Sequence, residues 1–139
     1  MHIRGRVPWP LIGTVELDVV SFDVPTHGVP GAARPVLEAL VHRGGRIAWG
    51  VIDPVGPEAA AEAIGRSAAC LSALANGLPL ERIARQSLLT PSRGTGCLFP
   101  ERERRIAGML DAAARSTRDA IAALQAPVPY SPSPPASWS

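Results

Sequence analysis

The hydrophobic and polar positions divide the chain into four short apolar runs separated by longer amphipathic stretches. Each run has the length of a β-strand and is almost continuously apolar, as in strands that are covered on both faces. The fourth run is closed by Pro91, which favours the end of a strand. The predicted strands are residues 1–4, 18–23, 46–53 and 87–90.

The stretches between these runs carry apolar residues at helical spacing. The predicted helices are residues 33–42, 58–76, 79–84 and 100–125. Pro100 suits the first turn of the last helix. The predicted inner face of that helix consists of Ile106, Met109, Leu110, Ala113, Thr117 and Ile121.

Strands that alternate with helices predict parallel strands joined by right-handed crossovers, and therefore an α/β fold. Four such units amount to half of a (β/α)8 TIM barrel. We accordingly predict one domain over residues 1–125. Residues 126–139 are dominated by Pro and Ser, and this composition predicts a disordered C-terminal tail.

The composition argues against several classes of partner. The chain has 139 residues, 46% of them apolar, and a formal net charge of +2 that is spread along its length. This balance favours neither a nucleic-acid nor a membrane partner, and no signal or membrane-spanning segment is apparent. We expect a cytoplasmic protein in which Cys70 and Cys97 are free thiols.

Four stretches, taken in order, resemble the catalytic barrel of cobalamin-independent methionine synthase. They are MHIRGRVPWP at the start, DVVSFD from residue 18, GVIDP from residue 50 and LLTPSRG from residue 88. The resemblance extends from Met1 to about Asp119. It implies the last four β/α units of that barrel, and a methyl transfer from a folate-type donor to a thiol such as homocysteine.

The resemblance also implies four positions that hold zinc in the family. The histidine position is His2, and the glutamate position is occupied by Asp23. The two cysteine positions are occupied by Arg4 and by Arg93, the latter within Pro91-Ser92-Arg93-Gly94. Two of the four expected ligands are therefore replaced by arginine.

Arginine at these two positions reverses the charge of the predicted metal site. Thiolates suit Zn²⁺, which in turn stabilises a substrate thiol as the nucleophilic thiolate. A guanidinium 4 Å from a dication, at an effective dielectric constant of about 20, would be repelled by roughly 8 kcal/mol at most. We therefore predict that zinc, the cofactor of the family, is lost from this chain.

Three further residues have alternative interpretations. Asp23 could remain a ligand, but we favour an ion pair with Arg4 or Arg93, because a buried arginine needs a carboxylate partner. Cys97 could replace a lost ligand, although such a residue is more often a small apolar one. Asp53 occupies a position that faces the substrate in the family and is our candidate catalytic residue. It could equally be a turn residue before Pro54.

Half of a barrel should need a partner, because its first and last strands would have unpaired edges. We expect either a separately encoded N-terminal half-barrel or self-association. Three functional hypotheses follow: an inactive methyltransferase fragment, a non-catalytic pseudoenzyme, or one half of a split enzyme. Since Met1 directly precedes His2, we also expect that the reading frame is truncated.

Overall fold

The computed structural model describes residues 1–3, 5–130 and 136–137. The four strands are β1 (His2–Ile3), β2 (Val19–Asp23), β3 (Arg46–Ile52) and β4 (Ser87–Pro91). The helices are α1 (Trp9–Ile12), α2 (Val24–His27), α3 (Ala33–His42), α4 (Ala60–Leu74), α5 (Leu80–Arg85) and α6 (Pro100–Gln125).

The strands form one parallel sheet in the order β1-β2-β3-β4. The α/β fold with four parallel strands is therefore confirmed. Each crossover moves one position in the same direction, so right-handed connections place the intervening helices on one face of the sheet. The order does not reverse, as it would in a doubly wound sheet with helices on both faces.

The helix-covered face of the sheet holds the largest buried side chains. Phe22 and Trp49 lie side by side in the register of β2 and β3, and neither is exposed to solvent. Phe22 makes edge-to-face contacts with Trp49 and with Trp9 of α1, at ring-centroid distances of 5.5 and 5.1 Å. The Trp49 indole N–H donates to Ser87 Oγ at 2.9 Å, which satisfies the one polar group of this buried ring.

The opposite face of the sheet is more open. One row across the four strands contains His2, Ser21, Ala48 and Leu88. Ala48 is buried, but His2 is exposed and 44% of Leu88 is accessible. The continuous apolar character of the strands had predicted that both faces of the sheet are covered. The structure shows that one face is covered less than the other.

The long helices agree closely with the predicted ones, whereas two short helices were not predicted. Helices α3 and α6 have the predicted limits, and α4 and α5 lie within two residues of theirs. On α6, Ile106, Met109 and Ala113 are buried as expected. Helices α1 and α2 have four residues each, which is too short for a 3.6-residue period to be recognisable.

Two further predictions concern the tail and the membrane. Residues 126–130 and 136–137 are exposed, and the rest of the predicted disordered tail lies outside the described residues. Within the described part of the chain, none of the helices combines the length and the apolar character needed to cross a membrane.

Candidate functional site at the carboxyl ends of the strands

The parallel sheet brings the predicted site residues to one end of the molecule. Asp23 ends β2, Asp53 directly follows β3, and Arg93 lies two residues after β4. The carboxyl ends of parallel strands are the usual location of binding and catalytic groups in α/β proteins. Arg4, a further predicted position, lies outside the described residues.

His2 does not lie level with Asp23. In the sheet register His2 is opposite Ser21, two residues before Asp23, which corresponds to about 6.6 Å along the strand. The His2 Nδ1 atom is 3.0 Å from Ser21 Oγ, so that one ring nitrogen already has a hydrogen-bond partner. The structure therefore brings His2 and Asp23 to neighbouring strands but to different levels.

Asp23 is held by its own local turn. Its Oδ1 accepts a hydrogen bond from the Thr26 backbone N–H at 3.1 Å, and its Oδ2 accepts one from Thr26 Oγ1 at 2.7 Å. Asp23 is thus the N-cap of α2. The predicted ion pair between Asp23 and Arg93 is wrong, because Arg93 pairs with a different carboxylate. The alternative predicted partner, Arg4, lies outside the described residues.

Arg93 pairs with Asp53 instead. Its Nη2 is 2.8 Å from Asp53 Oδ1, and both side chains are partly accessible to solvent. The same Oδ1 also accepts a hydrogen bond from the Val55 backbone N–H at 3.1 Å, across a turn that contains Pro54. The turn interpretation of Asp53 is therefore correct, and the turn presents the carboxylate to Arg93.

These contacts affect the protonation of Asp53. The Val55 backbone N–H, and then the Arg93 guanidinium, hold the pKa of this carboxyl below its ordinary value, although partial burial opposes them. Asp53 is consequently ionised at neutral pH. It can accept hydrogen bonds and balance a positive charge, but it has no proton to donate.

Ser92 and Gly50 belong to the same end of the sheet and were not predicted. The Ser92 backbone N–H donates to Ile52 O at 2.8 Å, and its side chain is buried without a hydrogen-bond partner among the described residues. A Cβ on Gly50 would lie 2.7 Å from Ser92 Cα and 2.8 Å from Phe22 O. A glycine inside an apolar strand is the signal that could have indicated this close backbone approach.

The two cysteines lie apart from this site. Cys97 is exposed in the segment between β4 and α6, and Cys70 is buried in α4, where burial raises the pKa of its thiol to about 12. In the described ranges, no group of three or more His, Cys, Asp or Glu side chains is arranged to hold a metal ion. Cys97 therefore belongs to no such group.

Comparison with known proteins adds no assignment to this geometry. No family model, no curated protein and no solved structure matches the chain.

Proposed function

We propose that this chain is a methionine-synthase-type methyltransferase half-barrel that does not activate a thiol through zinc. Two features support the proposal: a sheet whose parallel strands follow one another in sequence order, and polar side chains at the strand ends that the family uses. The family link itself depends on the four sequence stretches between Met1 and Gly94.

The ion pair between Arg93 and Asp53 is the single observation that most directly supports the proposed loss of zinc chemistry. A guanidinium occupies a position where the family has a thiolate, and it is 2.8 Å from a carboxylate. The carboxylate holds the guanidinium at the strand ends, so that it is not free to turn away from this position. A side chain that is fixed in this way is a poor neighbour for a dication.

The remaining donors do not fit a zinc site. A catalytic zinc usually has three protein ligands. Here one nitrogen of His2 contacts Ser21, and both carboxylate oxygens of Asp23 accept hydrogen bonds from Thr26. We therefore assign no reaction step to a bound metal.

The protonation state of Asp53 and its contacts favour a non-catalytic role for this residue. Since the pKa of this carboxyl is lowered, the residue cannot act as a general acid near neutral pH. Its Oδ1 atom accepts hydrogen bonds from both Arg93 and the Val55 backbone, which holds the side chain in place. We therefore propose a stabilising role for Asp53 at the strand ends.

The proposal is tested by zinc titration of the wild-type chain and of the Arg4→Cys/Arg93→Cys double variant. We expect no saturable binding by the wild type at micromolar zinc, and measurable binding by the double variant, because two thiolates are restored. An Arg43→Cys/Arg115→Cys variant is the matched control for two added cysteines at exposed positions away from the strand ends.

A methyl-transfer assay with homocysteine and a methyl-folate donor accompanies the titration. We expect no turnover by the wild-type chain. Stoichiometric zinc in the wild-type protein that is lost on His2→Ala substitution would contradict the proposal. Turnover that depends on that zinc would contradict it as well.

A further inference from the structure

The outer edge of β4 borders an apolar groove of about 630 Å³. Its lining includes Leu88 and Leu89 of β4, Leu110 and Ile121 of α6, and Leu71 of α4. Helix α6 extends over this groove, and no strand within the described ranges pairs with the outer edge of β4. The groove thus lies where a fifth parallel strand would continue the sheet.

The other edge of the sheet also exposes apolar side chains. Strand β1 has β2 on one side only among the described residues. Met1, which directly precedes β1, is 59% exposed, and Leu11 and Val15, in the segment that joins β1 to β2, are 62 and 45% exposed. Apolar surface is therefore present at both edges, with Leu88 at 44% and Leu124 at 74% on the β4 side.

The two edges are complementary to each other. In a parallel sheet, the outer edge of the first strand can pair with the outer edge of the last strand of a second sheet that runs in the same direction. A twofold rotation about the axis of the barrel, to which the strands are inclined, makes this contact twice, and four strands from each copy give eight. Eight is the number that closes a barrel with a filled interior.

We propose that two copies of this chain associate through both edges to form a closed eight-stranded parallel barrel. In this dimer, β1 of each copy lies in the groove between β4 and α6 of the other. The inference does not depend on the methyltransferase proposal, because it uses only strand order, exposed side chains and the groove.

The exposed area suits a stable dimer. Full burial of a leucine-sized side chain removes about 60–120 Å² from water, so ten partly exposed ones contribute on the order of 500 Å². Groove linings, open sheet faces and two pairs of strand edges add to this, toward the roughly 1,200 Å² of specific interfaces. The groove carries Glu81, Arg85, Asp111 and Arg118, and this balance of charges favours a nearly neutral partner such as this chain.

Closure would also change the candidate functional site. The carboxyl ends of all eight strands would surround one opening, with Asp23, Asp53 and Arg93 contributed by each copy. The site in a single chain would then be half of the site in the dimer.

Sedimentation velocity of the 139-residue chain, from about 1 to 100 μM, tests the proposal. We expect a species with the mass of two chains and none larger. Leu11→Glu and Leu124→Glu each place two unpaired carboxylates in the dimer interface, and each should raise the dissociation constant at least about 100-fold. Val55→Glu is the matched control, since Val55 is 69% exposed after the interior strand β3.

Mixing the two interface variants provides a second test. A mixed dimer has one contact with both substitutions and one contact with none, whereas each variant alone has one substitution in both contacts. Association of the mixture that differs from that of both variants alone supports a contact in which residues 11 and 124 meet. Circular dichroism should show that all variants remain folded, because the substituted side chains are exposed.

Four results would overturn the proposal. The first is a wild-type chain that is still monomeric at about 100 μM, the highest concentration in the sedimentation series. The second is a mass that grows beyond two chains. The third is a dimer that Leu11→Glu and Leu124→Glu affect no more than Val55→Glu does. The fourth is a chain that remains monomeric alone and associates only with a different protein.

Discussion

At the scale of single residues, Gly50 allows the backbone of β3 to lie close to the backbone of Ser92. A Cβ at residue 50 would overlap the backbone at Ser92 Cα and Phe22 O. Neither atom can move by a side-chain rotation. The requirement for glycine is therefore steric, and the register of β3 with β4 shifts directly after it, between Gly50 and Ile52.

We expect Gly50→Ala to destabilise the fold by about 1–3 kcal/mol, the usual cost of forcing extra volume into a packed region. Urea denaturation measures the change. Gly65→Ala on α4, where a Cβ would meet nothing within 4 Å, is the control and should be neutral or stabilising. Equal stability of the two variants would show that the strand ends can separate at no cost.

The two thiols should differ in reactivity. Cys70 is buried with its pKa raised to about 12, so almost none of it is thiolate near pH 8, whereas Cys97 is exposed. An aromatic disulfide reagent should therefore label one thiol per native chain rapidly, and both after unfolding in guanidinium. Cys97→Ser should remove the rapid phase. Rapid labelling of two thiols in the native protein would contradict the buried position of Cys70.

At the scale of elements, a polar contact ties α4 to the end of β3. Arg66 on α4 donates to Val51 O at 3.0 Å and to Glu58 Oε2 at 2.6 Å. Glu58 is 7% exposed, so its carboxylate depends on this partner. The contact fixes α4 against the strand that leads to Asp53.

Removal of this contact by Arg66→Met should destabilise the fold by about 1–3 kcal/mol, because Glu58 is left buried without its cation. Arg66 is partly exposed, which keeps the effect below that of a fully buried pair. Thermal denaturation of Arg66→Met, Glu58→Gln and the double variant measures the coupling. Additive effects of the two substitutions would show that the contact contributes nothing of its own.

The elements themselves were largely predictable. The limits of α3 and α6 follow from residues at helical spacing and from local end signals such as Gly44-Gly45 and Pro100. Helix α2 was not predictable by periodicity, since it begins at the Asp23 cap and has four residues. Its signal was the Asp23–Thr26 spacing, which is typical of an N-cap.

At the scale of the whole molecule, the strand order distinguishes a one-sided sheet from a doubly wound one. The sequence predicted alternating strands and helices, and hence parallel pairing. The openness of the face that carries His2 and Leu88 emerged only from the three-dimensional arrangement. That open face and the groove beside β4 are the physical basis for the proposed dimer.

The sequence alone determined the strands and the four longer helices, the α/β class and the end of the sheet at which polar side chains collect. These properties depend on local periodicity and on the common direction of parallel strands. Only the tertiary structure decided that Arg93 pairs with Asp53, forty residues away, and not with Asp23. Partner choice among several nearby carboxylates depends on distances of a few ångströms, and spacing along the chain does not contain that information.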